Sequence, residues 1–133
     1  MHILLMDNNS KYIPGTCNIG KEEINKRKKL FIISLFAVIA LTRLCFEYTD
    51  SFLIKTLLFL VSSTCCVIYM ELRHKFCVTF GMFGFYNFNK LGKAEKVKDR
   101  SSLLKDRQKV LRVIVVSSFI GLVFTFLICA LSS

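Results

Sequence analysis

Acidic residues are scarce in this chain and poorly placed for chemistry. Nine Asp and Glu stand against nineteen Lys and Arg, and none of the nine falls at the centre of an apolar run. Glu47 and Asp50 are the only acids near the expected outer face. A proton-coupled transporter of this size would need a carboxylate at membrane depth, so that class is disfavoured. Catalytic patterns are missing as well: there is no GxxxxGKS phosphate loop, no HExxH and no serine nucleophile elbow. The six cysteines form no CxxC pair, no zinc-like ligand spacing and no disulfide framework. No catalytic residue, cofactor or metal is therefore expected. The start, Met1 to Met6, lacks the charged region and cleavage site of a signal peptide, and no lipidation motif is expected.

What the chain does have is long apolar runs. Leu30 to Tyr48, Phe52 to Met70 and Val113 to Leu131 each approach the ~20 residues that a helix needs to cross a ~30 Å hydrocarbon core. The prediction is an all-α integral membrane protein of three transmembrane helices, an antiparallel hairpin plus a third long helix, with an interfacial aromatic segment. A polar leader (1–20) precedes a single membrane domain (21–133). Its spans lie at about 30–48, 52–70 and 113–131, with a loop over 71–112. The net charge of +10 gathers at the ends of the apolar runs, where anionic headgroups would meet it. That distribution favours a lipid bilayer as partner and argues against nucleic acid.

Asp7-Asn8-Asn9-Ser10 and Pro14-Gly15 are turn signals. Acids at Glu22 and Glu23 mark a helix start, and one helix is predicted from about Lys21 to Tyr48. Arg43 lies about 20 Å along it from Lys29. It has Glu47 one turn further on the same face, which reads as an interfacial ion pair. Thr49-Asp50-Ser51 is short enough to force an antiparallel hairpin. Ser62-Ser63-Thr64-Cys65-Cys66 places small, weakly polar residues inside the second span, a composition suited to close helix contact. Ser101 or Ser102 is the predicted N-cap of the third helix. That helix begins near Ser102 and runs unbroken to Leu131.

Six basic residues precede the first span, two (Arg43 and Lys55) flank the first turn, and eleven lie between the second and third spans. The positive-inside rule then places the N-terminus and loop 71–112 in the cytoplasm, with the short turn and the C-terminus outside. The predicted location is the inner (plasma) membrane, as a multi-pass protein.

Three groups of residues stand out. Ser117, Gly121, Thr125 and Cys129 form a small-xxx-small stripe that permits close helix packing, against the first span or against a second copy. Lys26, Arg27, Lys28 and Lys29 form a lipid-interface set with the aromatic residues Phe76, Phe80, Phe83, Phe85, Tyr86 and Phe88. The aromatic segment 76–88 holds five of the thirteen phenylalanines, and its glycines disfavour a straight helix. It is read as an in-plane or re-entrant element. Cys17 and Cys77 are a speculative thiol site. With His74 they have the chemistry to hold a thiophilic metal or a persulfide, although His74 between Arg73 and Lys75 reads first as a headgroup-level residue.

Cys17-Asn18-Ile19-Gly20, a basic run, a helical hairpin, and then Phe76-Cys77 through Gly81 and Gly84 together resemble the YgaP-type inner-membrane domain. The resemblance covers about residues 17–88, and the third span lies beyond it. It implies a bacterial inner-membrane protein and, because such domains are sometimes fused to a rhodanese, a link to sulfur chemistry. Three functional expectations follow. One is a non-enzymatic membrane protein acting by association, as an oligomer or as an accessory subunit of a complex. Another is a sulfur or redox accessory protein using Cys17 and Cys77. The last is a small oligomeric exporter with Arg43, Glu47 and Lys55 at its outer mouth.

Overall fold

The computed structural model describes residues 12–88 and 92–133. The leader up to position 11 and Lys90 of the charged loop lie outside the described residues. Helix α1 (Lys21–Glu47) starts with Glu22 and Glu23 in its first turn, where the helix dipole favours acids. The chain reverses over 48–51, and helix α2 (Phe52–His74) begins behind Ser51, whose side chain accepts from the Ile54 N–H. Lys75 ends α2 in the left-handed conformation, and its N–H returns to Glu71 O. Helix α4 (Arg100–Ser132) runs from the charged loop to the end of the third apolar run. The helices α1, α2 and α4 are each long and apolar enough to cross a membrane.

The cap of α4 is Asp99, not Ser101 or Ser102. Its carboxylate accepts from the N–H groups of Ser101 and Ser102. Hydrogen bonds from the two serine hydroxyls hold its pKa down at about 2. The serines serve the cap as donors and not as its acceptor, because an ionised carboxylate satisfies several orphan N–H groups at once.

α2 lies between α1 and α4, which touch each other only slightly. At Gly121 the α4 stripe meets α2. Ser117, Gly121 and Thr125 are buried. A Cβ at Gly121 would collide with the backbone and hydroxyl of Ser63, so this is a point of backbone-to-backbone approach.

The aromatic segment contains more structure than an all-α reading allows. Helix α3 (Val78–Phe83) is followed by strand β1 (Phe85–Tyr86), which pairs antiparallel with strand β2 (Glu95–Lys96). Strands of two residues carry no readable alternation. Gly81 sits inside α3. A Cβ there would lie 2.5 Å from Phe76 Cζ and 2.7 Å from Val110 Cγ2, so this glycine lets α3 press onto α4. Gly84, at φ 75°, ends α3 in the left-handed conformation that glycine adopts freely. Phe76 is 1% exposed and is a core residue beneath Gly81, which corrects its assignment to the lipid interface.

Candidate functional site

The described residues that carry chemistry gather where α1 starts, α2 ends and α3 begins. Here the backbone leaves regular helix, and its free N–H and C=O groups need partners inside the protein. Asn18, fully buried, supplies them. Its Oδ1 accepts from Cys77 N at 2.6 Å, and its Nδ2 donates to Cys77 O at 3.1 Å. Its own N–H donates to Lys75 O, and its carbonyl accepts from Asn87 N. The Gly20 N–H then donates to Asn87 O at 2.7 Å. One asparagine thus ties the segment before α1 to the α2–α3 link and to the chain after β1.

Charged groups complete the cluster. Glu71, 5% exposed, accepts from Val78 N at 2.8 Å and from Arg27 Nη1 at 2.6 Å. Arg27 reaches from α1 to Glu71 and to Cys77 Sγ, 2.7 Å from Nη2, with Glu23 at 4.0 Å one turn back. Its Nε is buried without a partner among the described residues. The Asn87 side chain donates to Glu23 at 3.4 Å. Arg27 is thus an internal bridge with 15% side-chain exposure, not a headgroup residue, because two buried carboxylates draw it inward. Lys26, Lys28 and Lys29 remain exposed.

Cys77 is fully buried and caps α3, accepting from Phe80 N at 3.4 Å. Burial pushes its thiol pKa up, while the N–H of Phe80 and the guanidinium of Arg27 pull it down. Cys17, half-buried, donates to Ile19 O, and burial raises its pKa too. No hydrogen bond joins the two thiols among the described residues. Nor does any group of three or more His, Cys, Asp or Glu converge there on a metal-sized site. His74 is exposed.

A second fastening lies beside the first. Asp106 of α4, fully buried, accepts from Tyr12 Oη at 2.7 Å and from Gly15 N at 2.6 Å. Burial and the bond to Asp106 raise the Tyr12 pKa, and the Tyr12 ring stacks on Tyr86 at 4.8 Å. Of the expected interface aromatics, Phe83 is the most open at 65%. Phe80, Phe85, Tyr86 and Phe88 are half-buried.

Sequence reasoning did not single out Glu71, Asn87 or Asp106. One signal was available for Glu71: a lone acid at the boundary of an apolar span, within a strongly basic stretch. Fold and site together define a helical protein with three helices of membrane-crossing length, fastened at one end by buried polar side chains. The chain matches no family model, no curated protein and no solved structure.

Proposed function

We propose that the chain is a multi-pass inner-membrane protein that acts by association, as an oligomer or as a subunit of a larger membrane complex, and that it is not an enzyme. Its N-terminus and the 71–112 loop lie in the cytoplasm, by the excess of basic residues there. The observation that carries this reading is the open row of helices. α1 is held on one side by α2 and gains little from α4. Only 6% of the most apolar window of α1 is buried, against 22% for α4. Ile33, Phe36, Ala40 and Arg43 mark the uncovered face of α1. Between helices in lipid, close packing is what drives association, and α1 is the helix with most surface left to pack. The buried cluster supports the same reading, since its polar groups are engaged in holding chain segments together.

Cysteine placed at Ala40 in native membranes tests the proposal. Oxidation is expected to yield a disulfide-linked dimer, whereas cysteine at Phe126 on the outer face of α4 yields none. Equal, background-level crosslinking at both positions would overturn self-association. Co-purification of a stoichiometric membrane partner would then distinguish the subunit form from a lone monomer.

Asn18 and Cys77 both fall in the stretch that resembles the YgaP-type domain, and they bond each other twice. A thiol function has one observation in its favour, the Arg27 guanidinium on Cys77 Sγ, which would favour the sulfur anion. Its full burial acts the other way. Maleimide labelling in intact membranes is expected to modify Cys77 more slowly than Cys17. Fast labelling of Cys77 with a depressed thiol pKa would favour the sulfur reading instead.

A further inference from the structure

A cleft of ≈ 230 Å³ lies between the turn at Pro14–Gly15 and α4, lined on the helix side by Lys105, Gln108, Lys109 and Arg112. The three cations follow at steps of four and three, so they share one face of α4. No ion pair or hydrogen bond engages any of them among the described residues. No acid lines the cleft among the described residues. The nearest in sequence, Asp106, has both oxygens taken by Tyr12 and Gly15. That same bond seats the turn: Gly15, at φ +68°, brings its backbone so near that a Cβ would lie 3.3 Å from Lys105 Cβ. The opposite wall is therefore fixed in place by a buried carboxylate, and three cationic residues line the cleft with no acid among its described lining.

Like charges at these spacings on one helix face repel weakly, and a bound anion relieves that repulsion. Its donors suit a phosphate: two ammonium groups, a guanidinium able to bond two oxygens at once, and the amide of Gln108. The cleft also has a defined depth. Arg112 is followed directly by Val113, the first residue of the third apolar run, so on the membrane reading above the cleft lies in the headgroup layer. The basic run on α1 differs: the pocket beside it includes Glu22 along with Lys26 and Lys29, so an acid already shares that site.

We infer that the 14–15/105–112 cleft is a binding site for a phosphate group, supplied by the headgroup of an anionic phospholipid. This rests on the proposed membrane location, and the test separates the two. The full chain is reconstituted into phosphatidylcholine nanodiscs doped with phosphatidylglycerol. Phosphatidylglycerol retained per chain is then read by native mass spectrometry. The wild type is expected to keep about one phosphatidylglycerol. The combined Lys105→Gln, Lys109→Gln and Arg112→Gln variant should lose retention by on the order of a hundredfold, at about 1 kcal/mol per basic residue, with Lys109→Gln alone intermediate. Removing three exposed charges elsewhere, by Lys93→Gln, Lys96→Gln and Lys98→Gln in the loop before α4, should leave retention in place. Equal loss in both triple variants would overturn the site, since general surface charge would then account for the binding. Binding of inorganic phosphate in lipid-free detergent, displaced by the α4 variant and not by lipid, would uphold the phosphate site and overturn the lipid source. Failure of the wild type to enter nanodiscs or to resist alkaline extraction would overturn the membrane reading itself. The variants replace surface side chains, and unchanged helical circular dichroism confirms that they fold.

Discussion

The two places where helices are fastened together differ in the chemistry that holds them. Along the α2–α4 seam the contacting residues are small, and Ser63, Ser117 and Thr125 carry buried hydroxyls with no hydrogen-bond partner among the described residues. At the basic end, Asn18, Glu71 and Cys77 are buried and Arg27 is largely so, and they are bonded to one another or to backbone. The difference follows from the backbone. Along the seam each helix satisfies its own N–H and C=O groups, so only close approach and dispersion remain to be gained. At the basic end the chain turns through three linkers whose backbone groups have no helical partner. Polar side chains must then come inside.

This contrast predicts an order of mutational cost, measured by reversible unfolding in mixed micelles. Arg27→Met should be the most damaging change, by about 3–5 kcal/mol, because it leaves Glu71 buried without its cation. A cost below that of any seam variant would break the comparison. Gly121→Leu comes next, at about 3 kcal/mol. The overpacked side chain meets Ser63 backbone and cannot be accommodated without separating α4 from α2.

Asn18→Ala should cost about 2 kcal/mol by stranding the N–H of Cys77, whose C=O keeps its bond from the Gly81 N–H. Amide exchange at Cys77 should rise while exchange along the seam stays unchanged. Faster exchange at Gly121 would show the two fastenings to be one unit. Ser117→Ala is expected to shift stability by less than about 0.5 kcal/mol, or to raise it, because the hydroxyl lost has no partner. A large loss there would mean that the seam is held by polar bonds after all, and would erase the distinction.

Much of the helical plan was legible. Leu30 to Tyr48, Phe52 to Met70 and Val113 to Leu131 announce helices by length and apolarity, and Thr49-Asp50-Ser51 leaves room only for a reversal. The candidate site was legible in part. Asn18 and Cys77 stood inside a stretch read for its resemblance. Arg27 was placed with the lysines beside it, since in a run of four cations nothing marks the one that turns inward. That selection depends on Glu71, forty-four positions away. Phe76 was misjudged for a similar reason: whether an aromatic ring faces lipid or protein is decided by what lies over it, here Gly81 and Val110.

What the sequence determined by itself is the set of quantities that depend on near neighbours: the three long apolar helices and the charge asymmetry between their ends. The tertiary structure alone decided which helix stands in the middle, that Gly121 meets Ser63, and that Arg27, Glu71 and Asp106 are internal while Lys105, Lys109 and Arg112 line an open cleft. Helix formation is governed by contacts a turn apart and can be read along the chain. Burial and pairing of a charge are governed by residues tens of positions away, and they exist only once the helices have packed.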